Sequence, residues 1–263
     1  MCQLLGMNCN VPTDIVFSFA GFRARGGVTD EHSDGWGIGF FEGPGCRLFI
    51  DTEPSAHSPV AELVQRYPIR SMNVIAHIRK ATQGRVALQN THPFMRELWG
   101  RHWLFAHNGD LKHVPTNPGC HRPVGDTDSE RAFCLILNTL QARFDRQPPL
   151  PELHAALLDI SATLADKGTL NYLLSNGDCM FAHGATQLSY IVRRAPFGPA
   201  HLIDQDVTVD FHELTAPHDV VAVIATQPLT DNEVWTKIKP RELLAFRHGE
   251  AVAQTEAMGD AAC

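Results

Sequence analysis

Met1-Cys2-Gln3-Leu4-Leu5-Gly6 opens the chain, and its second residue governs how the rest is read. A small residue at position 2 permits removal of Met1. Cys2 then carries a thiol and a free α-amine on one residue, so nucleophile and general base can coincide. Unperturbed, the amine titrates at about 7.7–8.0 and the thiol at about 8.5, so a proton passes between them at little cost near neutral pH. Taken alone, Cys2 is only a small residue at an arbitrary position. The apolar run behind it, to Met7, reads as a short strand.

Outward from that strand, Thr13-Asp14 can cap a helix over Ile15 to Ala24, with Ile15, Phe19 and Phe22 at helical spacing. Arg25-Gly26-Gly27 ends it, since glycine accepts the left-handed cap. Trp36 to Phe41 alternates large and small residues as a strand does, Gly43-Pro44-Gly45 is a hairpin signal, and Cys46 to Ile50 returns. Val60–Arg66 is a short helix, and Asn73–Arg79 and His102–His107 are buried strands. Asp128 opens a helix through Leu140, and Glu152–Ala165 forms a second beyond the Pro148-Pro149-Leu150-Pro151 tether. Strands are expected at Leu170–Leu174, Cys179–Ala182, Ser189–Arg193, Val207–Val209, Val220–Ala225 and Leu243–Arg247. This order predicts one α+β domain over residues 1–255, with helices covering antiparallel sheets, and a loose tail at 256–263.

Bulk composition narrows the function classes. An apolar content of 44% over 263 residues supplies a full core. A net charge of −7 and no long basic run disfavour nucleic acid or an anionic membrane as partner. No apolar stretch approaches the ~20 residues a membrane span needs. No basic segment followed by an apolar one marks a secretory signal, which fits a cytoplasmic location. The seven cysteines (Cys2, Cys9, Cys46, Cys120, Cys134, Cys179, Cys263) are scattered and form no Cys-x-x-Cys, which argues against a disulfide scaffold or zinc ribbon. Most read as small buried hydrophobes, with Cys263 a free thiol on the tail. Fourteen histidines invite a metal, but no His-Glu-x-x-His grouping supports one.

Four segments place polar or glycine residues at the ends of apolar strands, where a rigid sheet can hold a site. They are His77-Ile78-Arg79-Lys80-Ala81-Thr82, Asn90-Thr91-His92-Pro93-Phe94, Phe105-Ala106-His107-Asn108-Gly109-Asp110 and Gly125-Asp126-Thr127-Asp128-Ser129-Glu130. Each has a plain structural reading. Arg79 suits a strand-end ion pair, Asn108-Gly109 a two-residue hairpin turn, His92-Pro93 a stiff loop, and Asp126 or Asp128 a helix cap.

Together with Cys2, the segments resemble the class II glutamine amidotransferases, which are N-terminal nucleophile (Ntn) hydrolases. The resemblance rests on Met1-Cys2, His-x-Arg-x-Ala-Thr at 77–82, Asn-x-His-Pro at 90–93, His107-Asn108-Gly109, Asp-Thr-Asp-Ser-Glu at 126–130, and Asp34-Gly35-Trp36-Gly37-Ile38-Gly39. The second half is similar to the free-standing YafJ subgroup. The resemblance implies an αββα sandwich: two mainly antiparallel sheets packed face to face and covered by helices. It implies that Cys2 attacks the γ-amide of glutamine or a γ-glutamyl compound, forming a thioester, with its own α-amine as base. Asn108 and the Gly109 N–H would be the oxyanion donors, and glycine at 109 allows close approach and a positive φ. Arg79 would clamp the substrate α-carboxylate and Asp128 the α-ammonium, with Asp126 its rival. Thr82 and His92 would line the same pocket near the carboxylate.

The sequence departs from the family pattern at Lys80, where many relatives carry an aromatic residue, and at Gln83, where many carry His. Both changes bear on closure of the loop over the glutamine site. Pro240-Arg241-Glu242 stands where relatives have Pro-Gly-Glu. Arg241 takes a positive φ poorly, so that turn is expected to differ. No phosphate loop or dinucleotide fingerprint is present, and no cofactor is expected. Two destinations for the nitrogen stay open: an ammonia-accepting protein partner, or simple hydrolysis of a small-molecule γ-glutamyl substrate. A different class of function is a glutamine-binding regulatory or partner-dependent subunit without turnover of its own.

Overall fold

In a computed structural model, the structure describes residues 2–81, 84–115, 119–212 and 215–254. The opening apolar run becomes β1 (Gln3–Thr13), longer than the strand expected to Met7. In α1 (Val16–Ala24) Ile15 is the N-cap, and Asp14 accepts the Val16 N–H at 3.2 Å. The helix stops where expected, but its C-cap is Arg25 in the right-handed region, and the positive φ comes later, at Gly27 (107°). The hairpin of β2 (Trp36–Glu42) and β3 (Gly45–Asp51) turns on Gly43 at φ 58°. Next come α2 (Pro59–Arg66), capped by Ser58, and β4 (Ser71–Ile78). A 3-10 turn at Leu88–Asn90 leads into β5 (Phe94–Leu98), which pairs with β6 (Arg101–Leu111).

Two helices follow, α3 (Asp128–Arg143) and α4 (Leu150–Ala165). Thr127 caps α3 by accepting the Glu130 N–H at 3.2 Å. Glu130 itself is buried. It accepts from Val124 N at 3.0 Å and Gly125 N at 2.7 Å and pairs with Arg96, so it fixes the loop before the helix. The remaining strands are β7 (Gly168–Ser175), β8 (Met180–His183), β9 (Ser189–Arg194), β10 (Pro199–His201), β11 (Thr208–Asp210), β12 (Val220–Ala225), β13 (Thr236–Lys237), β14 (Leu243–Arg247) and β15 (Glu250–Gln254).

Thirteen of these strands form a seven-stranded sheet, β13-β9-β12-β1-β4-β2-β3, and a six-stranded sheet, β15-β14-β8-β7-β6-β5, while β10 and β11 pair only with each other. Every pairing between them is antiparallel. The sheets meet through Leu4, Ile75, Leu104, Ala106, Leu173, Met180, Ile224 and Phe246. Gly6 lets them approach closely, since a β-carbon there would stand 2.7 Å from Met180 Sδ. α1 and α2 cover the outer face of the larger sheet, while α3 and α4 cover that of the smaller. This is the αββα sandwich. Fully buried Trp103 and Phe105 lie under α3 and α4, where Phe105 stacks on Phe133 of α3, and burial of each contributes about 1.5–3 kcal/mol.

Two expectations are corrected. Asn108-Gly109 makes no turn and takes no positive φ. Both residues lie inside β6, opposite Asn171 and Leu170 of β7. Arg241 does adopt the left-handed conformation, at φ 63°. Its N–H donates to Gly184 O at 2.8 Å and its guanidinium to Asp166 at 2.7 Å. The expected tail at 256–263, with Cys263, lies outside the described residues. Cys9, Cys134 and Cys179 are buried and free, while Cys120 is exposed. Among the described residues, no helix is long and apolar enough to cross a membrane.

Candidate active site

Register brings the first two groups together. β1 and β4 are antiparallel neighbours with Gln3 opposite Ile78, so Cys2 and Arg79 emerge side by side at one end of the sheet. Cys2 Sγ lies 3.3 Å from both the backbone N and the backbone O of Lys80. It can therefore accept from the one and donate to the other. Residues 79–81 are pinned in turn against the loop before β2. Arg79 N–H donates to Gly35 O at 2.8 Å, and Ala81 N–H donates to Asp34 Oδ2 at 2.7 Å.

The smaller sheet supplies the third group. From β6, Asn108 Nδ2 donates to the Cys2 carbonyl at 2.6 Å. A second proton remains on that nitrogen. Among the described residues, the buried Asn108 Oδ1 has no hydrogen-bond partner. Gly109 follows, packed so tightly against β7 that a β-carbon would overlap Thr169 O and stand 2.7 Å from His107 Nε2. The glycine is thus explained by close approach, with no role for φ. Burial pushes the Cys2 thiol up, opposed by the Lys80 backbone and by Arg79. Such a thiol needs a base before it can attack.

Arg79 is buried and directs Nη1 at Arg85 O (3.0 Å) and Nη2 at Gly84 O (3.2 Å). Burial lowers its affinity for the proton, while Cys2, Asp34 and Asp126 hold the charge in place. The wall behind residues 84–85 is fastened by Asn90. Its Nδ2 donates to Arg85 O at 3.0 Å and to Asp126 Oδ1 at 2.7 Å, and its Oδ1 accepts Asp126 N–H at 3.1 Å.

Asp128 is the first residue of α3. Its Oδ2 accepts Leu111 N–H at 2.7 Å and its Oδ1 accepts Ser129 N–H at 2.8 Å. Asp128 is buried, whereas its rival Asp126 is exposed and occupied by Asn90. His92 is seated in the interior, its ring 4.2 Å from that of His77 and 4.4 Å from that of Phe94. Among the described residues neither of its nitrogens has a hydrogen-bond partner, and burial holds it well below the usual imidazole range. Thr82 and Gln83 lie outside the described residues. Lys80 Nζ turns outward to Glu31, 3.3 Å away.

The structure therefore brings Cys2, Arg79, Asn108 and Gly109 to one end of both sheets, with Asp128 tied to the same strand, β6, through Leu111. Three contributors carry no mark in the sequence analysis beyond their place in a motif: the Lys80 main chain at the thiol, the Asn90 clip, and His107. The two polar side chains could have been singled out as polar residues in apolar surroundings. Among the described residues, no group of three or more His, Cys, Asp or Glu is placed to hold a metal ion.

The arrangement offers a thiol beside a backbone donor, a neighbouring guanidinium, an amide donor from the facing sheet, and a carboxylate at a helix start. Comparison with known proteins identifies the family. The family model for class-II glutamine amidotransferases matches residues 1–262. The chain is 56% identical over 257 residues to YafJ of Escherichia coli (strain K12), a protein provisionally named as a glutamine amidotransferase. That match covers 96% of this chain and all (100%) of YafJ. The crystal structure of a predicted glutamine amidotransferase from Pseudomonas aeruginosa PA01 superposes with a TM-score of 0.78 at 47% identity, covering 96% of this chain and 100% of that one. A γ-glutamyl-hercynylcysteine sulfoxide hydrolase from Mycobacterium tuberculosis (strain CDC 1551 / Oshkosh) is 35% identical over 236 residues, 87% of this chain and 81% of its own.

Proposed function

The chain belongs to the class-II glutamine amidotransferase family, and from that premise we propose that it hydrolyses the γ-amide of glutamine or of a γ-glutamyl compound through a thioester on Cys2. One observation carries the reading. Asn108 Nδ2, from the facing sheet, reaches the backbone of the residue that bears the thiol, and Arg79 flanks the same residue. Nucleophile, oxyanion donor and carboxylate clamp are thereby within reach of one small molecule.

In this reading Met1 is removed and the Cys2 α-amine takes the thiol proton. Sulfur bonds to the carbonyl carbon of the γ-amide, and the carbonyl oxygen gathers negative charge against the second Asn108 proton and the Gly109 N–H. The C–N bond breaks, and the proton held by the amine passes to the departing nitrogen. Water then attacks the thioester, releasing a γ-carboxylate and restoring the thiol. Arg79 engages the α-carboxylate through a planar fork, sharing it with the carbonyls of residues 84 and 85. Asp128 receives the α-ammonium. The sulfoxide hydrolase relative favours a γ-glutamyl substrate whose glutamyl end is gripped and whose leaving group varies.

The test is glutamate release from L-glutamine and a panel of γ-glutamyl amides, with Cys2→Ala as control and intact mass measured alongside. The reading expects a protein one methionine lighter than the full sequence and release that vanishes in the control. An active protein that retains Met1 sinks the amine-base mechanism. Glutamine binding without Cys2-dependent release would instead favour the partner-dependent subunit.

A further inference from the structure

His107 is fully enclosed and touches both halves of the proposed site. Its Nε2 faces Thr169 O at 3.0 Å, and a carbonyl only accepts, so Nε2 carries the proton. Burial keeps the ring neutral, so Nδ1 presents a lone pair. Ser129 Oγ stands 2.8 Å from Nδ1 and is therefore the donor. Ser129 is the second residue of α3, directly after Asp128, and is itself buried. His107 is the residue before Asn108 in β6, and its ring lies against Gly109. Its carbonyl is held by His77 Nε2 at 3.2 Å.

We infer that the Ser129 hydroxyl and the His107 ring form a clasp between α3 and β6 that sets the span from the ammonium acceptor to the oxyanion donors, making Ser129 a positioning residue for the glutamyl head group. The inference rests on the roles proposed for Asn108, Gly109 and Asp128. A glutamyl group must meet Asp128 with its ammonium while its γ-carbonyl meets Asn108 and Gly109. Those groups sit on two elements, and a displacement of one against the other misplaces the substrate. Side-chain bonds tie the first turn of α3 to β6, among them Asp128 Oδ2 to Leu111 N and Ser129 Oγ to His107 Nδ1. The first uses the carboxylate that must also receive substrate. The second needs no carboxylate oxygen, and at 2.8 Å it is shorter than the contact of the same hydroxyl with Asp128 Oδ1 at 3.3 Å, so it can hold the register while Asp128 Oδ2 changes partners.

The experiment is titration calorimetry of L-glutamine with the full chain carrying Cys2→Ala, alone and combined with Ser129→Ala or Ser129→Thr. Loss of the hydroxyl is expected to weaken binding about tenfold. Threonine, which keeps the hydroxyl, is expected to restore it. In the protein with Cys2 intact, Ser129→Ala is expected to raise KM by the same factor and leave kcat within about twofold. Unchanged affinity in the alanine variant, or a threonine variant as weak as alanine, overturns the inference and leaves the proposed function standing. Failure of the Cys2→Ala parent to bind L-glutamine or any member of the γ-glutamyl amide panel overturns both. Should Ser129→Ala not fold, His107→Asn decides, because its side-chain amide can still meet Ser129. Affinity within about threefold of the parent is then expected, and a tenfold loss overturns the clasp.

Discussion

Asn108 and Gly109 are adjacent, yet substitution probes different physics at each. Asn108→Ala removes an amide whose Nδ2 reaches Cys2 O and whose buried Oδ1 has no partner among the described residues. The fold loses one bond and sheds one unsatisfied acceptor, so stability should change by less than about 1 kcal/mol. The rate should not be spared. With one oxyanion donor gone, kcat for glutamate release is expected to fall about 10²–10³-fold with KM little altered. A fall of less than fivefold would remove Asn108 from that role. Gly109→Ala is no matching probe. Its β-carbon would run into the Thr169 carbonyl, and the backbone of β6 or β7 must move. A loss of about 1–3 kcal/mol is expected in urea unfolding. Any loss of activity there reflects a shifted strand as much as a displaced N–H.

At the scale of elements, the turn at Arg241 exposes a side chain in a conformation that costs an L-residue about 1 kcal/mol or more. Its ion pair with Asp166 joins two well-exposed groups and returns little. Arg241→Gly is therefore expected to raise stability by up to about 1 kcal/mol, read as a higher urea midpoint at unchanged slope. A lower midpoint would show that the ion pair outweighs the strain. The same turn shows where sequence stops being informative. Arginine declares a poor fit to positive φ but not whether its neighbours will impose one. Central strands such as β4 and β12 are legible because both faces are buried and the apolar run is continuous. β5 and β15 are not, because each is an edge strand whose partly exposed residues carry no clean alternation. The end of β6 is hidden because Asn-Gly is a turn signal in isolation, and tertiary pairing with Asn171 and Leu170 overrides it. Within the site, Cys2, Arg79, Asn108 and Asp128 are marked by residue type and spacing. The Lys80 amide at the thiol has no such mark, since every residue has a main chain. The His107–Ser129 bond joins segments whose distance apart only the fold sets.

Across the molecule, the site end is built on imidazoles kept neutral by burial, and this makes the whole fold sensitive to acid. His77 is pushed down to about 3 and His183 to about 4, chiefly by desolvation, and His92 and His107 move the same way. An unfolded chain lets each titrate near 6.5. Below that pH the unfolded state binds more protons than the native state, so stability is present above about 6.5 and falls as pH drops toward 4 for His183 and toward 3 for His77. Between pH 7 and pH 5 each of these two is expected to remove about 2 kcal/mol. A fold with a typical stability of about 5–15 kcal/mol then loses much of its margin before its carboxylates protonate. His183 is the better probe, since its Nδ1–H donates to Leu170 O at 2.7 Å and an asparagine amide can take over that bond. Urea unfolding of the parent and of His183→Asn at pH 7 and pH 5 measures the difference. The variant is expected to shrink the pH-dependent loss by about 2 kcal/mol. An identical loss in both proteins would show that His183 is protonated in the native state, and that water reaches the interior between β7 and β8.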